Sequence, residues 1–120
     1  MSHLRAFNLT ERDLRPGWRE IQVEGELDLA VAEQLVDALT RAKSECQHLL
    51  IGLEGCEFID STGLAAIVHA HNEFAERGGR VAVCSPAAQV RRVLSVTGLT
   101  SNGLVFESTE EALSAFSSSA

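Results

Sequence analysis

The run His48-Leu49-Leu50-Ile51-Gly52-Leu53 and, a few residues on, Phe58-Ile59-Asp60-Ser61-Thr62-Gly63-Leu64 decide the fold. A strand-length run almost free of polar residues suits a strand covered on both faces, so His48 to Leu53 is read as the centre of a sheet. At Asp60 the period changes. Leu64, Ile67, Val68, His71 and Phe74 recur at the three-four spacing of one helix face, and Gly78-Gly79 stops that helix. Arg80 to Cys84 resumes as a short strand. Strand, helix and strand in this order make a crossover between parallel neighbours.

Working outward, Leu4 to Leu9 alternates weakly, Asp13-Leu14-Arg15-Pro16-Gly17 supplies turn residues, and Trp18 to Val23 alternates again with Ile21 and Val23 on one face. Two strands joined by a turn are expected there. After Gly25-Glu26-Leu27, Asp28 is the natural N-cap of a helix whose apolar stripe is Ala32, Leu35, Val36, Leu39 and Ala42. Downstream, Ser85 caps a third helix with Pro86 at its first position, and its stripe Val90, Val93 and Leu94 ends near Gly98. Leu104 to Phe106 is a last short strand. Ser108-Thr109-Glu110-Glu111 has capping-box spacing ahead of Ala112, Leu113 and Phe116, and residues 117–120 are expected to fray. The expected class is α/β: one domain over residues 1–120 with its core at about 4–116, a mixed sheet with an N-terminal antiparallel strand pair, parallel crossover units and about four helices.

Composition narrows the function. With 45% hydrophobic and 22% charged residues in a chain of 120, a folded core is expected and a disordered chain is excluded. A net charge of −7 argues against nucleic acid or an anionic membrane surface as partner. No apolar run approaches the roughly 20 residues of a membrane span. Residues 1–12 lack the apolar stretch of a secretory signal, so a cytoplasmic location is expected. Cys46, Cys56 and Cys84 form no Cys-x-x-Cys pair and are read as reduced thiols, with Cys46 the most exposed.

Asp60-Ser61-Thr62-Gly63 opens a helix, where backbone N–H groups are unpaired and the dipole is positive, so a phosphate on Ser61 would sit well there. Plain capping by Asp60, Ser61 or Thr62 accounts for the same residues. Catalysis has little support: Ser61 lacks a Gly-x-Ser-x-Gly elbow, and nothing pairs it with a general base. His69 and His71 fall on different helix faces and do not suit a shared metal. Cys46-Gln47-His48 and Arg91-Arg92 read as a chance juxtaposition and a solvated helix face.

Cys56-Glu57-Phe58-Ile59 followed by Asp60-Ser61-Thr62-Gly63-Leu64 resembles the Asp-Ser-Ser/Thr-Gly-Leu phosphorylation motif of bacterial anti-sigma factor antagonists, single-domain members of the STAS family. Gly25-Glu26-Leu27-Asp28 is similar to the family's Gly-Glu-Leu-Asp turn, and Gly78-Gly79-Arg80 to its glycine pair. Val90 to Leu99 resembles its Arg-Arg-Val-Leu…Thr-Gly-Leu segment, and Glu110 to Leu113 its final helix. The likeness runs collinearly from about Ile21 to Phe116. Ala65 departs from a common second glycine, and Gly52 interrupts a strand that often carries Asp or Asn nearby.

The resemblance implies partner switching without catalysis by this chain, and with no cofactor or metal of its own. The unphosphorylated protein would bind an anti-sigma factor that is also a Ser/Thr kinase, freeing the sigma factor. Phosphorylation of Ser61, with Thr62 the lesser candidate, would dissolve the complex, and a Ser/Thr phosphatase would reset it. ATP and Mg²⁺ would belong to the kinase. The implied partner surface is Glu26, Asp28, Asp60, Ser61, Thr62, Gly63 and Leu64. A stressosome component, a subunit of a lipid-transport complex or a ligand sensor would share the fold and use the surface differently.

Overall fold

The apolar run at His48 lies in the middle of a five-stranded sheet. The computed structural model describes residues 7–84, 86–96 and 105–117. In it, β1 (Asn8–Arg15) pairs antiparallel with β2 (Trp18–Leu27), and β2, β3 (His48–Ile59), β4 (Val81–Cys84) and β5 (Val105–Phe106) follow in parallel. Helices α1 (Leu29–Glu45), α2 (Ser61–Glu76), α3 (Ala88–Val96) and α4 (Thr109–Ser117) connect or follow the strands.

Alternation along β3 explains its composition. Leu49, Ile51 and Leu53 face one way with Ile21, Val23 and Leu27 of β2, under Leu35 and Leu39 of α1, Ile67 and Phe74 of α2, and Val90 and Leu94 of α3. Leu50 faces the other way with Trp18, Ala82 and Cys84, against Ala112 and Leu113 of α4. Both sides are covered, and the one buried charge among the described residues, Glu20 beside Leu50, is paired with Arg12. Each such Leu or Ile contributes about 1.5–3 kcal/mol by leaving water. Gly52 has a local reason: a Cβ there would lie 2.3 Å from the Gln22 amide on the neighbouring strand.

Several boundaries differ from the sequence reading. Asp13, Leu14 and Arg15 belong to β1, and the hairpin turn shrinks to Pro16-Gly17, with Gly17 at φ 85°. The first strand begins at Asn8; residues 4–6 lie outside the described residues. Gly25-Glu26-Leu27 is the end of β2, because β3 continues beside it with Gly25 opposite Cys56 and Leu27 opposite Ile59. At two irregularities β3 carries one more residue than β2, which lets polar Glu54 and Glu57 stay in a strand read as ending at Leu53. In α1, Ala38 is buried and Val36 is 43% exposed, so the core stripe passes through the smaller residue. Helix α3 starts at Ala88, which leaves Pro86 ahead of the helix; the expected cap Ser85, the stop near Gly98 and the strand residue Leu104 lie outside the described residues. Ser108 does cap α4, its Oγ accepting the Glu111 N–H at 3.1 Å, and that helix includes Ser117, which was expected to fray.

Candidate functional site

Parallel pairing places the C-terminal ends of β2 and β3 side by side, and each strand leads directly into a helix on the same face of the sheet. The N-termini of α1 and α2 therefore meet at one pole, and an aspartate caps each. Asp28 Oδ1 accepts the Ala30 N–H at 3.1 Å. Asp60 does more: its Oδ1 accepts the N–H groups of Thr62 and Gly63 at 3.0 and 3.1 Å and the Thr62 hydroxyl at 2.7 Å. Its Oδ2 accepts the Leu29 N–H at 3.2 Å, so one carboxylate ties together both helix starts. The Thr62 hydroxyl first, then the Gly63 N–H, hold the Asp60 carboxyl below the usual carboxylate range.

Gly63 permits this approach. A Cβ on it would lie 2.6 Å from Leu27 Cγ and 3.0 Å from the Leu27 carbonyl oxygen, and Leu27 is fully buried. The adjoining Asp60 N–H donates to that same carbonyl at 3.1 Å. The glycine is thus needed for close packing of α2 on the end of β2.

Ser61 is the first residue of α2 and is exposed. Its hydroxyl has no hydrogen bond within the described residues, whereas the Thr62 hydroxyl is held on Asp60. The N–H groups behind Ser61 are not vacant: those of Thr62 and Gly63 go to the Asp60 side chain and that of Leu64 to the Asp60 carbonyl at 3.0 Å. A phosphate on Ser61 would consequently meet a carboxylate already seated on the helix terminus, which differs from the open anion cradle expected from sequence.

Asp28, Asp60, Ser61, Thr62 and Gly63 are brought together, and Leu64 follows half-buried on α2. Glu26 is set apart. It alternates with Leu27, whose side chain enters the core under α1 and α2, and so belongs to the opposite face of β2 with Gln22 and Glu24. One residue that sequence reading passed over lies at the pole: Leu29 is 74% exposed directly after its cap, whereas Phe58, 38% exposed, pairs with Glu26 and lies with it on the opposite face. An apolar residue at the first position of α1, outside its buried stripe, was the available signal.

The remaining candidates fall elsewhere. His69 Nε2 lies 3.1 Å from Glu73 Oε1, while His71 is half-buried with its Nδ1 unpartnered among the described residues. Arg91 pairs with Glu107 at 2.9 Å. The Cys46 thiol donates to the Ala42 carbonyl and His48 Nδ1 accepts the Arg80 N–H, so this pair is committed to separate backbone partners. Among the described residues no three His, Cys, Asp or Glu side chains are grouped to hold a metal.

Cys56 and Cys84 are buried and Cys46 partly so, and burial raises all three thiols, Cys84 to about 12. Timed labelling of the native protein with a chromogenic disulfide at pH 8 is expected to modify at most one thiol quickly, at Cys46, with the others reacting only on unfolding. Rapid modification of two or three would contradict this packing.

The structure is thus an α/β domain in which two aspartate-capped helix starts meet at one pole of a mixed sheet. The chain belongs to the STAS domain family, which matches residues 11–112. It is 31% identical over 83 residues to an anti-sigma F factor antagonist of Paenibacillus polymyxa, covering 66% of this chain and 69% of that protein. Its fold is that of an anti-sigma factor antagonist from Mycobacterium paratuberculosis (TM-score 0.82, 24% identity, 92% and 93% of the two chains). It is likewise that of the anti-sigma factor antagonist SpoIIAA in its unphosphorylated form (TM-score 0.78, 24% identity, 94% and 97%). No described helix is long and apolar enough to cross a membrane.

Proposed function

We propose that this chain is an anti-sigma factor antagonist of the partner-switching kind. It binds an anti-sigma factor Ser/Thr kinase through the pole formed by Asp28, Leu29 and Asp60 to Leu64, and phosphorylation of Ser61 switches that binding off. The observation that carries this reading is the Ser61 hydroxyl, exposed and without a hydrogen bond among the described residues, next to an aspartate that has already taken the neighbouring helix-terminal N–H groups. Exposed Leu29 supplies apolar area for a partner beside it.

The chain acts as a binding protein and kinase substrate in the cytoplasm. ATP and Mg²⁺ come with the kinase, and a separate Ser/Thr phosphatase restores the hydroxyl. Phosphate adds about −1.5 to −2 charges beside Asp60 and Asp28, so a fitted interface acquires both repulsion and a desolvation cost. Capture of the partner from lysate, followed by incubation with Mg-ATP and mass spectrometry, is expected to identify a kinase that places one phosphate on the peptide containing Ser61. By calorimetry, Ser61→Ala is expected to keep the wild-type affinity and Ser61→Asp to lose about 1–3 kcal/mol. Equal affinities of the two variants would sink the electrostatic account.

A further inference from the structure

The opposite pole gathers several arginines, with Asp13 and Glu45 held on Arg19 among them. Strands β2, β3 and β4 start there at Trp18, His48 and Val81, and the length of β3 puts the two poles on the order of 35 Å apart at ~3.3 Å per residue. The Trp18 and His48 rings lie 4.8 Å apart at its centre. Around them stand Arg15, Arg77 and Arg80, all exposed residues. Burial first, then the charges of Arg80, Arg77 and Arg15, hold the His48 imidazole below its ordinary range, so it stays neutral and accepts the Arg80 N–H at 3.1 Å.

Five of the described cations are neutralised locally: Arg12 on Glu20, Arg19 on Asp13 and Glu45, Arg41 on Glu11, Lys43 on Glu73 and Arg91 on Glu107. Arg15 and Arg77 are held in another way. The Arg15 guanidinium donates to the Leu113 carbonyl at 3.3 Å and lies 5.8 Å from the Trp18 ring centroid. Arg77 donates to the Cys46 carbonyl at 2.7 Å and lies 4.5 Å from the Phe74 ring centroid. No carboxylate pairs with either among the described residues. A guanidinium fixed by a carbonyl and a ring keeps its charge and further N–H donors available without first breaking an ion pair. Beside Arg15 a cleft of about 240 Å³ runs along Gly17, Trp18 and Cys46, its carboxylates Asp13 and Glu45 both engaged by Arg19.

We propose that this pole is a second interaction surface, on which Arg15 and Arg77, flanking the His48 ring, dock an acidic segment of a protein partner. Carboxylates spaced along an extended peptide can reach guanidiniums presented across an open surface. A nucleic-acid backbone would bring a denser line of negative charge, one phosphate per nucleotide, against a chain of net −7. The surface is separate from the Ser61 pole, so it can be occupied in either phosphorylation state.

The test is fluorescence anisotropy with a fluorescein-labelled peptide of alternating Glu and Ala, with an oligothymidylate of equal length as the comparison. Saturable peptide binding is expected, weakening ~10-fold or more from low to physiological salt as exposed charges are screened. Arg15→Gln with Arg77→Gln is expected to lose ~10-fold in affinity, whereas Arg91→Gln and Ser61→Asp stay within about twofold. Because Arg15 and Arg77 also tie down backbone carbonyls, Gln47→Glu provides an independent check. Gln47 is exposed between Cys46 and His48, and a carboxylate there should weaken the peptide comparably while leaving both arginines in place. Absence of saturable peptide binding, equal loss in Arg91→Gln, unchanged affinity in Gln47→Glu, or tighter binding of the oligothymidylate would each overturn the proposal.

Discussion

Ser61→Ala is expected to take up no phosphate from the kinase and ATP, while Thr62→Val is labelled to the same stoichiometry as the parent protein. The two hydroxyls are neighbours in sequence but not in circumstance. An attacking hydroxyl must enter the kinase site and present its oxygen to the γ-phosphorus, which favours a side chain that is exposed and has no bond to give up. Ser61 meets both conditions, whereas the Thr62 hydroxyl donates to Asp60 Oδ1 at 2.7 Å. Releasing Thr62 would also loosen the carboxylate that holds the Gly63 and Leu29 N–H groups. The alanine variant removes no hydrogen bond seen within the described residues, so an unchanged thermal transition is the control for its fold. Label that persists in Ser61→Ala and disappears in Thr62→Val would move the acceptor by one residue.

Gly79→Ala is expected to destabilise the protein by about 3 kcal/mol or more, a fall in melting temperature of roughly 15 °C for a domain of this size. A Cβ at Gly79 would lie 2.3 Å from the Gln47 carbonyl oxygen and 3.2 Å from that of Phe74. Both are backbone atoms, and no rotamer change can relieve them. The Gly79 N–H also donates to the Phe74 carbonyl at 2.8 Å, which fixes the glycine where the clash occurs. The preceding Gly78 gives the contrast. It has φ 79° with nothing within 4 Å of a Cβ, so Gly78→Ala meets only the left-handed backbone cost of about 1–2 kcal/mol. Denaturant titration of the two variants separates the effects, and equal losses would refute the backbone contact as the cause.

Periodicity and capping chemistry are local properties, and they were legible in the sequence. The two-sided apolar run at Leu49 to Leu53, the three-four spacing from Leu64 to Phe74 and the capping roles of Asp28 and Ser108 depend on residues a few positions apart, and the cap of α2 was narrowed to Asp60, Ser61 or Thr62, of which the structure uses Asp60. The Ser61 motif was readable for the same reason, since its residues are contiguous. Strand lengths were not: β2 and β3 outrun their apolar runs because each satisfies the other's backbone to the ends, Leu27 against Ile59. Ala38 is buried while Val36 is 43% exposed because the angle at which α1 lies on the sheet, and not side-chain hydropathy alone, chooses the inward face.

The site as a unit was decided by tertiary structure. Whether two helix starts meet depends on two strands being parallel neighbours with their helices on one face, and only that arrangement brings the Leu29 N–H to Asp60, 31 residues away. The same crossover presses Gly63 onto Leu27 and directs Glu26 to the other side of the sheet. Sequence determined which residues could cap, turn or accept a phosphate; long-range packing determined which of them share a surface, because that depends on distances between segments the chain does not hold adjacent.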